Sequence, residues 1–202
     1  MNCLSTHIDP NLQYFVTGGK DGAVRVWKYS NRELITQYSE HRKGVLQVSI
    51  DSEKPNIVHS LGGDSTVLSY DLKLAKRIIG HTINGCTMHC LTQRKDSELE
   101  LVTGDSHGCI LYWDIDVREP VMELQSSRNA IRTAQISNSG KFLAFAGEDT
   151  VLKILHVESN QMVSMGESHS NTVRTIAWTP DDRQILTGGD DNCLTVWNFF
   201  LA

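Results

Sequence analysis

The stretch Val24-Arg25-Val26-Trp27 recurs along the chain in degenerate form. Its last position returns at residues 27, 70, 113, 155 and 197, with spacings of 43, 43, 42 and 42 residues. The later copies are Leu68-Ser69-Tyr70, Ile110-Leu111-Tyr112-Trp113, Lys153-Ile154-Leu155 and Leu194-Thr195-Val196-Trp197. Self-similarity at a fixed period of about 40 to 45 residues is a signature of repeat architectures. The sequence therefore predicts an array of units rather than a single core.

Each unit contains three hairpin-linked strand patterns followed by a fourth, more variable one. In the last unit, an alternating stretch (172–178), a short strand (184–186) and a third strand ending at Trp197 are separated by turn residues. Fourth strands are expected at 33–38, 74–79, 121–124 and 161–165. No helix-period segment competes with this pattern, which predicts an all-β propeller of five blades, with units at about 1–38, 39–79, 80–124, 125–165 and 166–202.

Composition excludes several classes of function. The 202 residues carry a formal net charge of -5 and no basic run, which argues against binding to nucleic acid or to an anionic membrane surface. The longest apolar stretches are only strand-sized, and the first residues lack the pattern of a secretory signal. Five cysteines without paired CxxC spacing favour reduced thiols. A cytoplasmic location is the expectation.

At this point the chain resembles the WD-repeat family of propellers over essentially its whole length. The resemblance implies a His–Ser/Thr–Asp–Trp hydrogen-bond chain within each blade. The hydroxyl residue stands ten positions before the tryptophan position, the aspartate stands six before it, and the histidine stands at the start of the unit. The implied sets are His41, Ser60, Asp64 and Tyr70; His81, Thr103 and Trp113; and His169, Thr187, Asp191 and Trp197.

Two units depart from that pattern. In the third, His107 stands where the aspartate is expected, with Asp105 nearby. In the fourth, the histidine, the hydroxyl residue and the tryptophan are replaced by Ser127, Phe145 and Leu155, so apolar packing is expected to hold that blade. Asp149 then lacks both usual partners, and it either turns outward to a turn amide or is available to a binding partner.

The units also predict an incomplete ring. The first unit begins at its inner strand and the fifth has no outer strand, so five inner triplets share four outer strands. The expectation is the C-terminal part of a larger ring of about seven blades, with the missing blades supplied by upstream sequence or by another chain. A closed five-blade propeller with a three-stranded last blade is the alternative.

Residue types that could carry chemistry do not form a convincing site. Asp105, Ser106 and His107 are adjacent, and adjacent residues cannot supply the geometry of a catalytic triad. His81, Cys86, His89 and Cys90 fit no common zinc spacing, and alternation along a strand separates them. We therefore expect no enzyme activity, no metal and no cofactor.

The resemblance places binding at the turns and inner-strand entrances of the disc. Arginines at one rim could pair with carboxylates of an acidic partner, although a solvated rim that binds nothing is the simpler explanation. The candidate rim positions are Lys20, Arg42, Lys43, Ser106, Arg128, Arg132, Glu148, Arg174 and Asp190.

A protein-interaction scaffold is the predicted function. Segments 96–103 and 196–200 look like those of cilia- and flagella-associated multi-propeller WD-repeat proteins, which implies tubulin and axonemal proteins as partners and a location in the cytoskeleton of the cilium or flagellum. The alternative is a cytosolic adaptor or a substrate receptor of a ubiquitin ligase. Against the receptor, the Trp-Asp-x-Arg element of such proteins would need an arginine where the chain has Asp116.

Overall fold

The computed structural model describes residues 3–9, 11, 13–94 and 101–200, and all regular elements in this part of the chain are strands. Blade 1 contains β1 (Cys3–Ile8), β2 (Tyr14–Gly19), β3 (Val24–Lys28) and β4 (Leu34–Tyr38). Blade 2 contains β5 (Val45–Ile50), β6 (Ile57–Gly62), β7 (Thr66–Asp71) and β8 (Lys76–Thr82). Blade 3 contains β9 (Met88–Gln93), β10 (Leu101–Asp105), β11 (Cys109–Trp113) and β12 (Met122–Gln125). Blade 4 contains β13 (Ile131–Ile136), β14 (Phe142–Gly147), β15 (Val151–His156) and β16 (Gln161–Glu167), and blade 5 contains β17 (Val173–Trp178), β18 (Gln184–Gly189) and β19 (Leu194–Asn198).

The five sheets are antiparallel, and their strands are paired in chain order from the inner to the outer strand. The prediction of an all-β fold with five blades is confirmed, and the fifth sheet has three strands in the part of the chain that is described. Three outer strands extend beyond their expected ends, β8 to Thr82, β12 to Gln125 and β16 to Glu167. The described residues include no helix that is long and apolar enough to cross a membrane.

The turn between the second and third strands has the same backbone form in every blade. The residue five positions before the tryptophan position has a positive φ in all five blades: Gly22, Ser65, Gly108, Thr150 and Asn192. This left-handed conformation costs little for glycine and is tolerated by asparagine, whereas a β-branched residue such as Thr150 is strained there. The repeat therefore fixes a turn geometry even where the sequence does not favour it.

The hydrophobic core lies in layers between neighbouring blades. Ala144, Leu152 and Ile154 on one face of blade 4 pack against Val173 and Ile185 of blade 5. Equivalent layers join blades 1 and 2, blades 2 and 3, and blades 3 and 4, so neighbouring blades bury the faces that they share.

Inner strands are also joined by side chains that bond to the backbone of the adjacent blade. Gln47 donates to the carbonyl oxygen of Leu91 at 2.6 Å and accepts from its N–H at 2.9 Å. Gln135 accepts from the N–H of Trp178 at 3.1 Å, and His7 Nδ1 accepts from the N–H of Ile50 at 2.8 Å. Inner strands of different blades do not pair as a sheet, so these side chains satisfy amides that would otherwise be unpaired.

The sheets form an open arc, a partial propeller in which the inner strands contact one another in the order β1, β5, β9, β13, β17. The faces of the two terminal blades differ from the interior ones. On blade 5, Leu194 is 70% and Val196 is 51% exposed, whereas Leu152 and Ile154, at the same positions of blade 4, are 2% and 5% exposed. In the described structure, therefore, no blade covers the outer face of blade 5.

Candidate functional site

A recurring polar cluster lies beneath the turn between the second and third strands of each blade. We call this cluster the turn site, and it comprises the aspartate position and the groups bonded to it. In blade 5, His169 Nδ1 lies 2.9 Å from Asp191 Oδ2, and His169 Nε2 lies 2.7 Å from Thr187 Oγ1. Trp197 Nε1 donates to Thr187 Oγ1 at 2.8 Å. The structure thus brings together all four residues of the set expected in this blade.

Blade 2 has the same arrangement except at the tryptophan position. His41 Nδ1 lies 3.1 Å from Asp64 Oδ1, and its Nε2 lies 2.7 Å from Ser60 Oγ. Tyr70 was expected in this hydrogen-bond set but is not part of it, because its buried hydroxyl has no hydrogen-bond partner among the described residues. Its ring instead stacks on Tyr38 of blade 1, with the centroids 4.1 Å apart.

Hydrogen bonds keep both turn aspartates ionised. The N–H of Ser170 lowers the pKa of Asp191, with smaller contributions from the N–H of Cys193 and from His169. Burial alone would raise the pKa of Asp64, but its hydrogen bonds lower it overall. Each carboxylate therefore joins the loop before its blade to the turn as a charged acceptor.

Blades 1 and 4 fill the turn site with a cation from their own third strand. Arg25 NH2 lies 2.5 Å from Asp21 Oδ2, and this pairing lowers the pKa of Asp21 to about 2. In blade 4, Lys153 Nζ pairs with Asp149. Arg25 and Lys153 both stand two residues before the tryptophan position.

Asp149 follows the first of the two alternatives expected for it only in part, because it binds a turn amide but also pairs with Lys153 and Ser127. Its Oδ2 accepts from Lys153 and, at 2.8 Å, from Ser127 Oγ, while its Oδ1 accepts the N–H of Val151 at 3.4 Å. The side chain is 18% exposed, and its carboxylate already has partners within the blade. Phe145 is fully buried, so blade 4 combines the expected apolar packing with an ion pair that the sequence pattern did not indicate.

His81 does not join the hydrogen-bond set of blade 3, so this expectation is wrong. Trp113 Nε1 does donate to Thr103 Oγ1 at 2.9 Å, but neither ring nitrogen of His81 has a hydrogen-bond partner among the described residues. His41 and His169 stand four residues before their inner strands, whereas His81 stands seven before Met88. His81 belongs to β8 and packs on Trp113, with ring centroids 5.1 Å apart, and burial lowers its pKa.

In blade 3 the role of the turn aspartate is taken by Asp105. Its Oδ1 accepts the N–H groups of His107 and Cys109 at 2.9 and 2.8 Å. The donor atoms of Cys86, Asp105 and His107 lie within 4.8 Å of one another. Burial, followed by the carboxylate of Asp105, raises the pKa of Cys86 to about 12.

The four potential metal ligands that lie close together in the sequence, His81, Cys86, His89 and Cys90, do not come together in the structure. Among the described groups of potential metal ligands, the structure brings Cys86 together with Asp105 and His107 rather than with His81, His89 and Cys90. Cys90 is buried in the core, and His89 lies beside Arg132, whose NH1 is 3.1 Å from its Nε2.

Blade 2 also contains a buried Ser–His–Asp chain that the sequence pattern did not predict. His59 Nδ1 lies 2.8 Å from Ser69 Oγ, and its Nε2 lies 3.5 Å from Asp51 Oδ2. The three residues are at most 1% exposed, so no substrate can reach the serine. Asp51 also accepts the N–H groups of residues 53 and 54, which indicates a structural role.

The candidate rim residues lie at one end of the blades, in the turns and inner-strand entrances where they were expected. Two of the arginines already have partners within their own blade. Arg174 NH2 lies 2.6 Å from Asp190 Oδ2, and Arg132 pairs with Glu148. Ser106 Oγ accepts the N–H of Thr87 at 3.1 Å. The remaining rim positions are exposed side chains without an ion pair in the described structure: Lys20, Arg42, Lys43 and Arg128.

A groove of about 480 Å³ on the outer part of blade 2 gathers three arginines. Arg77 lines it and pairs with Glu40 at 2.6 Å. Arg42 and Arg118 also line it, and both are exposed and form no ion pair within the described residues. Ile78, which is 43% exposed, provides apolar surface beside them. The sequence reasoning missed Arg118 because it comes from the blade 3 loop that precedes β12.

Comparison with known proteins agrees with this architecture. The family model "WD domain, G-beta repeat" matches residues 1–28 and 160–198. The chain is 24% identical over 190 residues to "WD repeat-containing protein SL1-17" of Schistosoma mansoni, covering 93% of this chain and 62% of the relative. It is 22% identical over 190 residues to "Cilia- and flagella-associated protein 52" of Homo sapiens, covering 91% and 30%. It is 27% identical over 177 residues to "Methylosome protein WDR77" of Xenopus laevis, covering 85% and 52%.

The chain thus spans less than two thirds of the length of each of these relatives. Segment 96–103 was one basis of the expected likeness to ciliary proteins, and its residues 96–100 lie outside the described part of the chain. The recurring four-stranded sheets, the turn sites and the matches agree with one another. The chain is therefore similar to WD-repeat proteins in both sequence and architecture.

Proposed function

We propose that the chain is a non-enzymatic scaffold of the ciliary or flagellar axoneme that binds acidic segments of microtubule-associated partners. WD repeats serve as platforms for protein interaction, and several relatives are named cilia- and flagella-associated proteins. The identity to those relatives is low, so the proposal depends on surface chemistry as well as on likeness.

The groove on blade 2 is the observation that carries the proposal. Arg42 and Arg118 line one groove, and neither forms an ion pair with Glu40 or Asp64, the two carboxylates that also line it. Guanidinium groups make bidentate contacts with carboxylates, so an extended acidic segment would neutralise both. The acidic tails of tubulin have this chemistry.

Other groups favour binding over catalysis. The Ser69–His59–Asp51 chain is enclosed, and Ser60, which His41 joins to Asp64 in the same blade, is equally buried. A hydrolase would need the serine exposed next to oxyanion donors. We propose also that further blades, from sequence outside this chain or from another chain, cover the apolar outer face of blade 5 around Leu194 and Val196.

The test is retention of the tagged protein on axonemes. The endogenous protein is tagged in ciliated cells of the source organism, the membrane is stripped, and the axonemes are washed with salt. We expect the wild-type protein to remain with the axoneme. The variant Arg42→Glu/Arg118→Glu should be released at lower salt, because it places like charge where the acidic partner binds.

The matched control is Lys28→Glu/Lys141→Glu, which makes the same charge change at two exposed positions outside the groove. Release of the wild-type protein into the soluble fraction would overturn the axonemal proposal in favour of a cytosolic adaptor. If the wild type and both variants are retained equally, the scaffold stands but the groove is not its contact.

A further inference from the structure

Blade 3 departs from the other four blades at three positions that meet in space. Eight residues before the tryptophan position, the other blades have Gly19, Gly62, Gly147 and Gly189, whereas blade 3 has Asp105. At the aspartate position, blade 3 has His107. The loop before β9 adds Cys86, and the donor atoms of these three side chains lie within 4.8 Å of one another.

The glycine is needed in the blades that contain a histidine–aspartate pair. A Cβ at Gly189 would lie 2.8 Å from His169 Nδ1 and 2.9 Å from Asp191 Oδ1, closer than real Cβ atoms come. Asp105 therefore projects its carboxylate into the space that the pair occupies in blade 5. The Asp105 carboxylate therefore replaces the histidine–aspartate pair in the turn site of blade 3.

The turn of blade 3 needs only one oxygen of that carboxylate. Asp105 Oδ1 accepts both turn N–H groups, as Asp191 Oδ1 accepts the N–H of Cys193 in blade 5. The exposed imidazole of His107 makes no hydrogen bond within the described residues. The thiol of Cys86 is directed at the Asp105 carboxylate. The side chains of Cys86 and His107 thus lie beside the Asp105 carboxylate, and neither of them has a structural role of its own.

We propose that Cys86, Asp105 and His107 form a site for a divalent zinc ion. Sulfur, nitrogen and carboxylate oxygen are the donors that Zn²⁺ takes in proteins, and three protein ligands leave the fourth tetrahedral position for water or for a group of a partner. Glu123 adds a second negative charge near Cys86, which favours a cation over an anion. The site lies at the same end of the blades as the rim residues, because Asp105 ends β10 and His107 lies in the turn that follows.

Metal binding to the full chain tests this proposal. The protein is stripped with chelator, desalted and titrated with Zn²⁺ against a chromogenic competitor, and then with Co²⁺ while the near-ultraviolet spectrum is recorded. We expect one equivalent of Zn²⁺ to bind, and Co²⁺ to give a thiolate charge-transfer band. Cys86→Ser should abolish the band, and His107→Ala should weaken Zn²⁺ binding by more than about tenfold, because losing even a group that only supports a ligand costs about that much at protein metal sites.

Cys193→Ser is the matched control, because Cys193 is also a free thiol next to a turn aspartate, in blade 5. His107 is exposed in a turn, so His107→Ala should fold normally, and its unfolding temperature without metal verifies this. Stoichiometric binding that survives both Cys86→Ser and His107→Ala would overturn the assignment. Failure of the wild type to bind Zn²⁺ more tightly than about 0.1 mM would do so as well.

Discussion

Blades 4 and 5 are neighbours with the same strand register, yet they stabilise the same turn in different ways. In blade 5 the turn aspartate is bound by His169, which comes from the loop before the blade. In blade 4 it is bound by Lys153, which comes from the blade's own third strand, and by Ser127 from the preceding loop. The turn geometry is therefore the same in both blades, while the chemistry and the connectivity differ.

The comparison teaches that the turn carboxylate is the fixed element and its counter-group is replaceable. Blade 1 resembles blade 4, because its turn aspartate pairs with the cation Arg25. Blade 2 resembles blade 5, because its turn aspartate is bound by His41. The histidine comes from the loop before the blade, whereas the strand cation comes from the hairpin itself and, in blade 4, also donates to Ser127 Oγ of the preceding loop at 3.1 Å. The two solutions should therefore respond differently to substitution.

The largest effect is expected for Lys153→Met. Methionine keeps most of the apolar volume but leaves Asp149, whose side chain is only 18% exposed, without its counter-charge. Removing one partner of such a pair costs about 3 kcal/mol of the free energy of unfolding. Urea unfolding at neutral pH measures it. The double variant Lys153→Met/Asp149→Asn should recover part of the loss, and no recovery would mean that the ion pair is not the source of the stability.

A smaller loss is expected for His169→Ala. Asp191 keeps the N–H groups of Ser170 and Cys193, and Thr187 keeps Trp197, so only the imidazole contacts are lost. We expect a decrease of about 2 kcal/mol, the cost of leaving buried polar groups partly unpaired. Thermal unfolding compares this variant with Ser170→Ala, whose exposed side chain should be dispensable. Equal melting temperatures in the two variants would contradict the histidine's role.

Thr150→Asn should stabilise blade 4 by giving it the turn residue of blade 5. Thr150 has a φ of 65°, and Asn192 occupies the same position with a φ of 61°. Because a β-branched residue is strained in this region and asparagine is not, we expect a gain of up to about 1 kcal/mol. The urea midpoint measures it, with Asn192→Thr as the reverse change. A loss of stability in Thr150→Asn would show that contacts of the threonine outweigh its backbone strain.

The smallest effect is expected for Asp21→Asn, and it depends on pH. Arg25 lowers the folded-state pKa of Asp21 to about 2, so the contribution of the carboxylate is present above its unfolded pKa of about 4 and is lost as the pH falls toward 2. The side chain is 47% exposed, so solvent screens the interaction. The difference in unfolding midpoint between wild type and variant should shrink between pH 5 and pH 2. A difference that is constant across this range would exclude the charge of Asp21 as its cause.

The period of the sequence is sufficient to predict the number and order of the blades. Fixed offsets from the tryptophan position locate residues within a hairpin, so spacing alone assigns Thr187 and Asp191 to the same cluster. Offsets across loops are not fixed. Three additional residues between His81 and Met88 remove this histidine from the set, and the altered spacing is visible in the sequence.

Two features could not be predicted from the offsets. The pairing of Lys153 with Asp149 spans four residues across a strand turn, a spacing that indicates an ion pair only once the turn geometry is known. Arg118 reaches the groove of blade 2 from blade 3, and a pattern read one unit at a time does not reveal contacts between units. Both cases depend on packing rather than on the repeat itself.

The amide-binding side chains between inner strands have a consequence for how the protein unfolds. Gln47 joins blade 2 to blade 3, and Gln135 joins blade 4 to blade 5. Each of these hydrogen bonds couples the stability of one blade to that of its neighbour. Such a molecule behaves as a one-dimensional chain of coupled units. Opening should begin at the exposed flank of blade 5 and spread inward one junction at a time, so amide protons of β19 should exchange before those of β10.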